Sequence, residues 1–304
     1  MNLAIFFYWQ GSLHHLLPYP ALRNWSTVFL ATVLQALPFL MLGVGLSAAI
    51  AAFVPSAWLA RALPSHPVVA VPAAGLYGFA LPGCECSAAP VAARLVRRGV
   101  APAAALTFLL AAPAVNPIVL VATSVAFPGH PEMVLARFVA SMLTAVVVGW
   151  VCAGTGLGRW MRLRPPGHDH RSGVDGFAAT ATEDFLQAGG FLVVGAALVA
   201  TVQTAVPHGA LESIGGSGIP AALTMAGLAV LLSVCSEADA FVAAGLTQFS
   251  LAARLTFLVV GPMVDMKLIA LQIAAFGRRF ALRFTSLTLT VAIATSLAVG
   301  STLR

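Results

Sequence analysis

Charged side chains are scarce in this chain of 304 residues: they make up 9% of it, against 60% for hydrophobic side chains. Soluble domains carry about 25% charged residues, and a mean hydropathy of +0.94 excludes that class. The composition predicts an all-α polytopic membrane protein. The surplus of 16 Lys and Arg over 10 Asp and Glu is confined to a few loops, which indicates membrane topology and not nucleic-acid binding.

Cysteines are also few, and the common enzyme motifs are missing. Four cysteines, at positions 84, 86, 152 and 235, are too few for a disulfide scaffold. The sequence has no HExxH, Walker loop or GxSxG. This argues against a metalloprotease, an ATP-driven pump and a hydrolase, so we predict neither an enzyme nor a cofactor. Cys152 lies among small apolar residues and is interpreted as packing. The triplet from His168 to His170 is interpreted as a solvated linker.

The most informative stretch is LPGCECSAAPVAARLVRRG, from Leu81 to Gly99. It places Glu85 between Cys84 and Cys86, directly after a Pro-Gly pair and between long apolar runs. In lipid, a Pro-Gly break is tolerated only where the freed backbone groups are buried in protein or face a cavity. Ionisable groups at that depth are costly and indicate function. The stretch therefore predicts a broken membrane helix with thiols and a carboxylate at the break.

A second copy of this design begins at Val234, with the sequence VCSEADAFVAAGL. After a shift of 149 residues, the segment 86–116 aligns without a gap on 235–265, and 11 of the 31 positions are identical. A weaker match, with a shift of 152, sets 34–43 on 186–195. We interpret the pattern as an internal duplication. Duplicated halves with discontinuous helices at matching positions are typical of transporters, whose binding site lies between the halves.

The order of apolar runs divides the chain into four regions. These are an interfacial N-terminal segment, a first membrane repeat, a cytoplasmic linker and a second membrane repeat, at residues 1–26, 27–158, 159–183 and 184–304. Long apolar runs lie at Thr27–Phe53, Ala103–Phe127, Met133–Gly156, Phe185–Val206, Ala253–Phe276 and Leu287–Val299. Short runs lie at Val68–Leu81, Cys86–Val96, Ile219–Val234 and Ala238–Leu246.

These runs predict two inverted structural repeats of about 150 residues, each with full spans and a short broken or re-entrant helical hairpin. The total is roughly 8 to 10 transmembrane segments, since a full crossing needs about 20 residues. Placing the arginine-rich loops in the cytoplasm gives each half an odd number of crossings, which inverts the second half relative to the first. Both hairpin tips are then expected to meet near the midplane. Crossing by thin or tilted helices is the alternative.

Three thiols, those of Cys84, Cys86 and Cys235, are predicted to form one metal- or solute-binding site. Thiolates are soft ligands, and three of them without a membrane histidine suit transient binding of a soft ion better than a closed zinc site. The alternative is that they pack as small hydrophobic side chains. Glu85 is predicted to line the same site, where it could assist ligand deprotonation, carry a coupling proton or cap a helix.

Polar residues at matching positions of the two halves complete the predicted substrate site. Ser87 and Ser236 stand at the starts of the second short helices, where they either contact the solute or act as N-caps. Asn116 and Asp265 each follow a proline by three residues. They either contact the solute or satisfy a carbonyl group that the proline frees.

Additional carboxylates distinguish the second half. Glu237, Asp239 and Asp265 occupy positions where the first half has Ala, Pro and Asn, and Glu237 and Asp239 are predicted to carry the coupling ion. Lys267 is expected to pair with Asp265 or Asp239. Arg94 is expected to extend toward the inner interface.

With these residues in place, the chain resembles the ArsP-type predicted permease family. The resemblance rests on GCECSAAPVAARLVRRGV, ALTFLLAAPAVNPIVL, SVCSEADAFVAAGL and FLVVGPMVDMK, and extends from about Thr27 to the end. It implies a multi-pass permease of the inner (cytoplasmic) membrane. The best-understood members expel trivalent organoarsenicals, and some relatives with a Cys-Glu-Cys sequence pair with a small companion membrane protein.

The leading hypothesis is therefore a secondary transporter that exports a soft, thiol-seeking solute, such as a trivalent arsenical or a soft metal ion. The rival hypothesis is a membrane thiol redox or metal-delivery protein in which Cys84 and Cys86 cycle through oxidation. Either chemistry requires accessible thiolates. The expected partners are the solute and the lipid bilayer. A companion protein and a homo-oligomer remain open alternatives.

Overall fold

The computed structural model describes residues 20–53, 66–80, 85–161, 174–205, 218–236 and 238–303. These residues form twelve α-helices and no strand, which confirms the all-α prediction. The first six are α1 (Pro20–Phe53), α2 (Pro67–Ala80), α3 (Glu85–Arg97), α4 (Pro102–Val115), α5 (Pro117–Ala126) and α6 (Glu132–Thr155). The others are α7 (Val174–Ala205), α8 (Ile219–Leu232), α9 (Asp239–Gly245), α10 (Leu251–Val260), α11 (Met266–Phe276) and α12 (Arg278–Gly300).

Several of these helices are apolar enough for the interior of a membrane. Within the described residues, Pro102–Ala126, Pro131–Thr155 and Arg278–Gly300 are both long and apolar enough to span it. Four more apolar helices, α2, α8, α10 and α11, have 10 to 17 residues, fewer than the ~20 of a full crossing. The longest helices, α1 and α7, have 34 and 32 residues. The number of crossings stays a prediction.

The described helices follow a similar order in the two predicted halves, so that α1 to α6 can be matched in order with α7 to α12. Packing within the halves also matches: α2 packs on α4 and α8 on α10, while α4 packs on α6 and α10 on α12. Contacts between the halves are reciprocal, because α3 packs on α11 and α9 packs on α5. The counterpart pairs α1–α7 and α6–α12 also pack directly on each other. The short helices that carry the predicted site are therefore held between the halves.

Close approach of helices in the first half depends on small residues. A Cβ atom at Gly149 of α6 would overlap Thr107 of α4 and Val71 of α2, and one at Gly78 of α2 would overlap Ala111 of α4. In membranes, helix association relies on such van der Waals contact since lipid is as apolar as the helix surface. Cys152 is buried in this core, in agreement with its interpretation as a packing residue.

Two predicted spans contain a break in the helix, although the first of them, Pro102–Ala126, is still long and apolar enough to span the membrane. The run 253–276 consists of α10 and α11 separated by the turn that contains Gly261 and Pro262. Proline lacks the amide that would continue the helix and clashes with the preceding turn. The run 103–127 divides at Asn116, which is extended (ψ 155°) between α4 and α5, as sterics favour before a proline.

Other boundaries differ only at helix ends. The helices α1, α7 and α12 begin at Pro20, Val174 and Arg278, earlier than the predicted starts at residues 27, 185 and 287. The short helices α2, α3, α8 and α9 follow the predicted short runs closely. Most of the predicted interfacial segment and residues 162–173 of the predicted linker, including the triplet 168–170, lie outside the described residues.

Candidate solute site

Asn116 and Asp265 occupy equivalent places, each as the N-cap of the second helix of a broken pair. The Oδ1 atom of Asn116 accepts from the amide of Val119 at 2.9 Å, and its Nδ2 donates to the carbonyl of Ala112 at 3.0 Å. The Oδ1 atom of Asp265 accepts a short hydrogen bond from the amide of Leu268. Both side chains thus satisfy backbone groups that the helix break exposes.

A buried ion cluster lies at the N-terminus of α11. The Nζ atom of Lys267 is 3.1 Å from Oε1 of Glu85, at the start of α3, and 3.6 Å from Oδ2 of Asp265. Their exposed fractions are 3%, 1% and 0%. An ammonium group at a helix N-terminus opposes the helix dipole, so Lys267 depends on the two carboxylates for its stabilisation. The expected pairing of Lys267 with Asp265 is present, and the shorter contact of Lys267, with Glu85, was not predicted.

The second cysteine-bearing segment reaches the same helix terminus. Ser233, which ends α8 in the left-handed conformation (φ 45°), accepts a hydrogen bond through Oγ from the amide of Met266 at 3.2 Å. Cys235 follows two residues later, so its Cα lies within about 7 Å of the Cα of Ser233. Glu85 precedes Cys86 directly in the sequence. The start of α3 and the end of α8 therefore converge on the first residues of α11.

Arg137 anchors the segment that follows Cys235. Its side chain is completely buried in α6, and its Nη2 atom lies 2.7 Å from Oδ2 of Asp239 and 3.3 Å from the carbonyl oxygen of Ser236. Its Nη1 atom donates to Oγ1 of Thr123 at 2.8 Å. Asp239, which was considered as an alternative partner for Lys267, therefore pairs with Arg137.

Neither predicted serine is an N-cap. Ser87 is the third residue of α3, and α9 has Ala238 at its N-cap position without a side-chain bond. Ser236 is fully buried, and its Oγ has no hydrogen-bond partner within the described part of the chain. Arg94 is also buried, contrary to the expected extension toward the interface.

The predicted three-thiol cluster is only partly described. Cys235 is buried, with 6% of its surface exposed. Cys84, Glu237 and the side chain of Cys86 lie outside the described residues. Among the described residues there is no group of three His, Cys, Asp or Glu side chains arranged for a metal ion. The three-thiol site and the coupling role of Glu237 therefore stay predictions.

One site residue and one site contact escaped the sequence analysis. Arg137 is the only Lys or Arg between Met133 and Gly156, and a lone charge inside an apolar span is itself a functional indication. The partnership of Glu85 with Lys267 joins residues 182 positions apart, and neither local spacing nor the repeat alignment connects them.

Comparison with known proteins identifies the family of the chain. Residues 21–301 match the family ArsP_1, described as "Predicted permease". The chain belongs to this permease family. It is 34% identical over 283 residues to UPF0718 protein YcgR of Bacillus subtilis, a match that covers 90% of this chain and 96% of the relative. No solved structure gives a significant match.

A second relative of the permease carries a more descriptive name. A Streptococcus mutans protein, named as a subunit of a two-component membrane permease complex, is 32% identical over 283 residues, or 90% of this chain and 94% of the relative. Together with the apolar helices, membership confirms the resemblance to the family and the prediction of a membrane permease. Its substrate is a separate question.

Proposed function

We propose that this permease is a secondary transporter of the cell inner membrane that exports a soft, thiol-seeking solute, such as a trivalent arsenical or a soft metal ion. One observation carries the proposal. The two cysteine-bearing segments, one from each half, meet at the N-terminus of α11, where Lys267 contacts Glu85 and Met266 contacts Ser233. Such convergence of broken helices from two halves is the arrangement of transporter binding sites.

In this proposal the thiols of Cys84, Cys86 and Cys235 bind the solute. Thiolates prefer soft metals and metalloids, whereas carboxylates prefer hard cations and protons. Further polar groups line the same site, namely Ser87, Ser236, Asn116 and Asp265. The hydroxyl of Ser236, which has no hydrogen-bond partner among the described residues, supports this assignment.

The charges next to the thiols suit ion coupling. Glu85 and Asp265 place two carboxylates around one ammonium group, that of Lys267. With all three ionised the cluster carries one negative charge, which in a buried setting favours uptake of a cation or proton. We therefore assign ion coupling to Glu85 and Asp265 together with Glu237. Asp239, which was also predicted to take part in coupling, pairs with Arg137 and is assigned a positioning role instead.

The proposed transporter consists of two inverted repeats. Contacts within the two matched helix pairs that pack directly on each other, α6–α12 and α1–α7, support this. In the α6–α12 pair, Thr144 in the middle of α6 contacts Thr295 near the end of α12. Trp160, just beyond α6, stacks with Arg283 near the start of α12 at 4.1 Å. These two helices therefore run antiparallel. The α1–α7 pair behaves alike.

In that second pair, Trp25 near the start of α1 donates to Thr201 near the end of α7 at 3.0 Å, so these two helices are antiparallel as well. Counterpart helices that cross a membrane in opposite directions belong to repeats of inverted topology. A companion membrane protein is the proposed partner, by analogy with the relative named as a subunit of a two-component complex.

Uptake into everted membrane vesicles tests the transport proposal. Vesicles that contain the permease are expected to accumulate at least one member of a panel of arsenic(III), antimony(III), zinc and copper(I) species, compared with vesicles without it. Replacement of Cys84, Cys86 or Cys235 by Ser is expected to reduce uptake by a similar, large factor each, because ligands that bind one ion together are not additive.

Cys152→Ser is the matched control, since Cys152 is buried in the core and belongs to neither predicted cysteine-bearing segment, and it should leave uptake unchanged. Full uptake by Cys235→Ser would reduce the site to Cys84 and Cys86. If no panel member is transported while Cys84 and Cys86 form a reversible disulfide under quinone control, the chain is a thiol redox protein instead.

A further inference from the structure

Arg137 joins the two halves of the permease at a point that the proposed function leaves unexplained. It lies on α6 of the first half, yet two of its contacts, with Asp239 and the Ser236 carbonyl, are to the second half. Its third partner, Thr123 on α5, holds the other arm of the guanidinium. A charged group that is completely buried and bound on both sides is costly to desolvate, so its position is not incidental.

The segment that Arg137 binds has little stability of its own. Cys235 begins a turn in which its carbonyl oxygen accepts from the amides of Ala238 at 2.9 Å and Asp239 at 3.0 Å. The helix α9 that follows has 7 residues and no side-chain N-cap. Helices this short are not stable alone in water. The turn at Cys235 thus depends on tertiary contacts, and Arg137 binds it at two places.

We propose that Arg137 is a positioning residue that fixes the turn at Cys235 against the first half and so sets the position of the Cys235 thiol. The planar guanidinium is suited to this, because it donates in fixed directions and stays charged, whereas a lysine offers one mobile point charge. The inference rests on the proposed function only in that Cys235 is taken to bind the solute.

The first test measures the turn without any solute. In the full chain with Cys84, Cys86 and Cys152 replaced by Ser, Cys235 is the single cysteine, and its alkylation rate by N-ethylmaleimide reports how often the turn opens. Arg137→Gln is expected to raise this rate about tenfold or more, and Arg137→Lys to raise it by a smaller factor. Thr144→Ala, equally buried on the same helix, should leave it unchanged.

A milder variant covers the case in which Arg137→Gln does not accumulate in the membrane. Thr123→Val removes one hydrogen bond to the guanidinium and keeps the charge, so a rise of about two- to threefold in the alkylation rate is expected. An alkylation rate that stays at the parent value in both Arg137→Lys and Thr123→Val overturns the proposal, whatever the transport result.

The second test separates positioning from general damage. With the solute that the vesicle panel identifies, Arg137→Lys in the otherwise native chain is expected to raise KM about tenfold with a smaller change in kcat, because a displaced thiol weakens binding. Faster alkylation in a protein that transports no panel member would sustain the positioning role while overturning the proposed function. If KM rises and kcat falls by the same factor, and alkylation is no faster, the positioning role is overturned while the proposed function stands.

Discussion

At the scale of single residues, buried charges join the two halves of the permease. Glu85 pairs with Lys267, and Arg137 pairs with Asp239, across 182 and 102 residues of sequence. In each pair the cation comes from one half and the carboxylate from the helix start in the other half. Removal of one partner from such a pair leaves an uncompensated charge in a poorly solvating interior.

Replacement of Lys267 by Met alone should therefore destabilise the protein more than replacement of both Lys267 and Glu85 by uncharged residues. It leaves two buried carboxylates without their ammonium group, at a cost of roughly 3–5 kcal/mol. The double variant Glu85→Gln/Lys267→Met is expected to recover a large part of this loss. Thermal unfolding of the purified protein in detergent measures the effect.

Arg279→Gln, at an exposed position at the start of α12, is the control for loss of a positive charge and should change stability by less than about 0.5 kcal/mol. A double variant that is less stable than Lys267→Met alone would contradict the pairing of Glu85 with Lys267.

At the scale of helices, the breaks at Asn116 and Asp265 rely on side chains for their missing backbone partners. Asn116→Ala removes the cap of α5 and the donor to the Ala112 carbonyl together. Loss of a cap costs about 0.5–2 kcal/mol, and a carbonyl left buried without a partner adds about 1–3 kcal/mol. A clear fall in the unfolding temperature in detergent is the expected result.

Ser250 is the matched comparison for this variant, because it caps α10 through a longer bond of 3.3 Å to the amide of Ala253. Ser250→Ala should cost less than Asn116→Ala. Equal losses would mean that the break at Asn116 has no special dependence on its side chain.

Sequence patterns predicted the helical class, the short helices and the matching order of the two halves' apolar runs, because all of these depend on local hydrophobicity. The Gly261-Pro262 pair is itself a local signal for a helix break, but the long apolar run around it favoured the prediction of a single span. The ion pairs could not be predicted the same way. Lys267 has Asp265 two residues away in sequence, but its shorter contact, with Glu85, depends on the packing of α3 against α11.

At the scale of the whole molecule, the packing of paired helices predicts which segments lie on the same side of the membrane. The stacking of Trp160 and Arg283 requires the end of α6 and the start of α12 to lie on one side of the membrane. Arginine-rich segments favour the cytoplasm. In a variant without native cysteines, single cysteines in residues 159–176 and beside Arg278 are expected to react only with reagents applied from the cytoplasm.

Cysteines in residues 208–216 should react only from outside. The measurement is labelling with a membrane-impermeant maleimide in intact cells and in everted vesicles. Labelling of the site beside Arg278 from outside would contradict the inverted arrangement. It would also contradict the proposal that the two halves approach one solute site from opposite sides of the membrane.

The long sequence separation of the contacts between the halves has a consequence for biogenesis. A ribosome adds about 5–20 residues per second, so Asp239 is made roughly 5–20 s after Arg137, from which it is 102 residues distant. Lys267 follows Glu85 after a still longer interval, since 182 residues separate them. During that interval the first half has entered the bilayer with two charges whose partners do not yet exist. We expect the insertion machinery, or another membrane protein, to shelter those charges from lipid until the second half arrives.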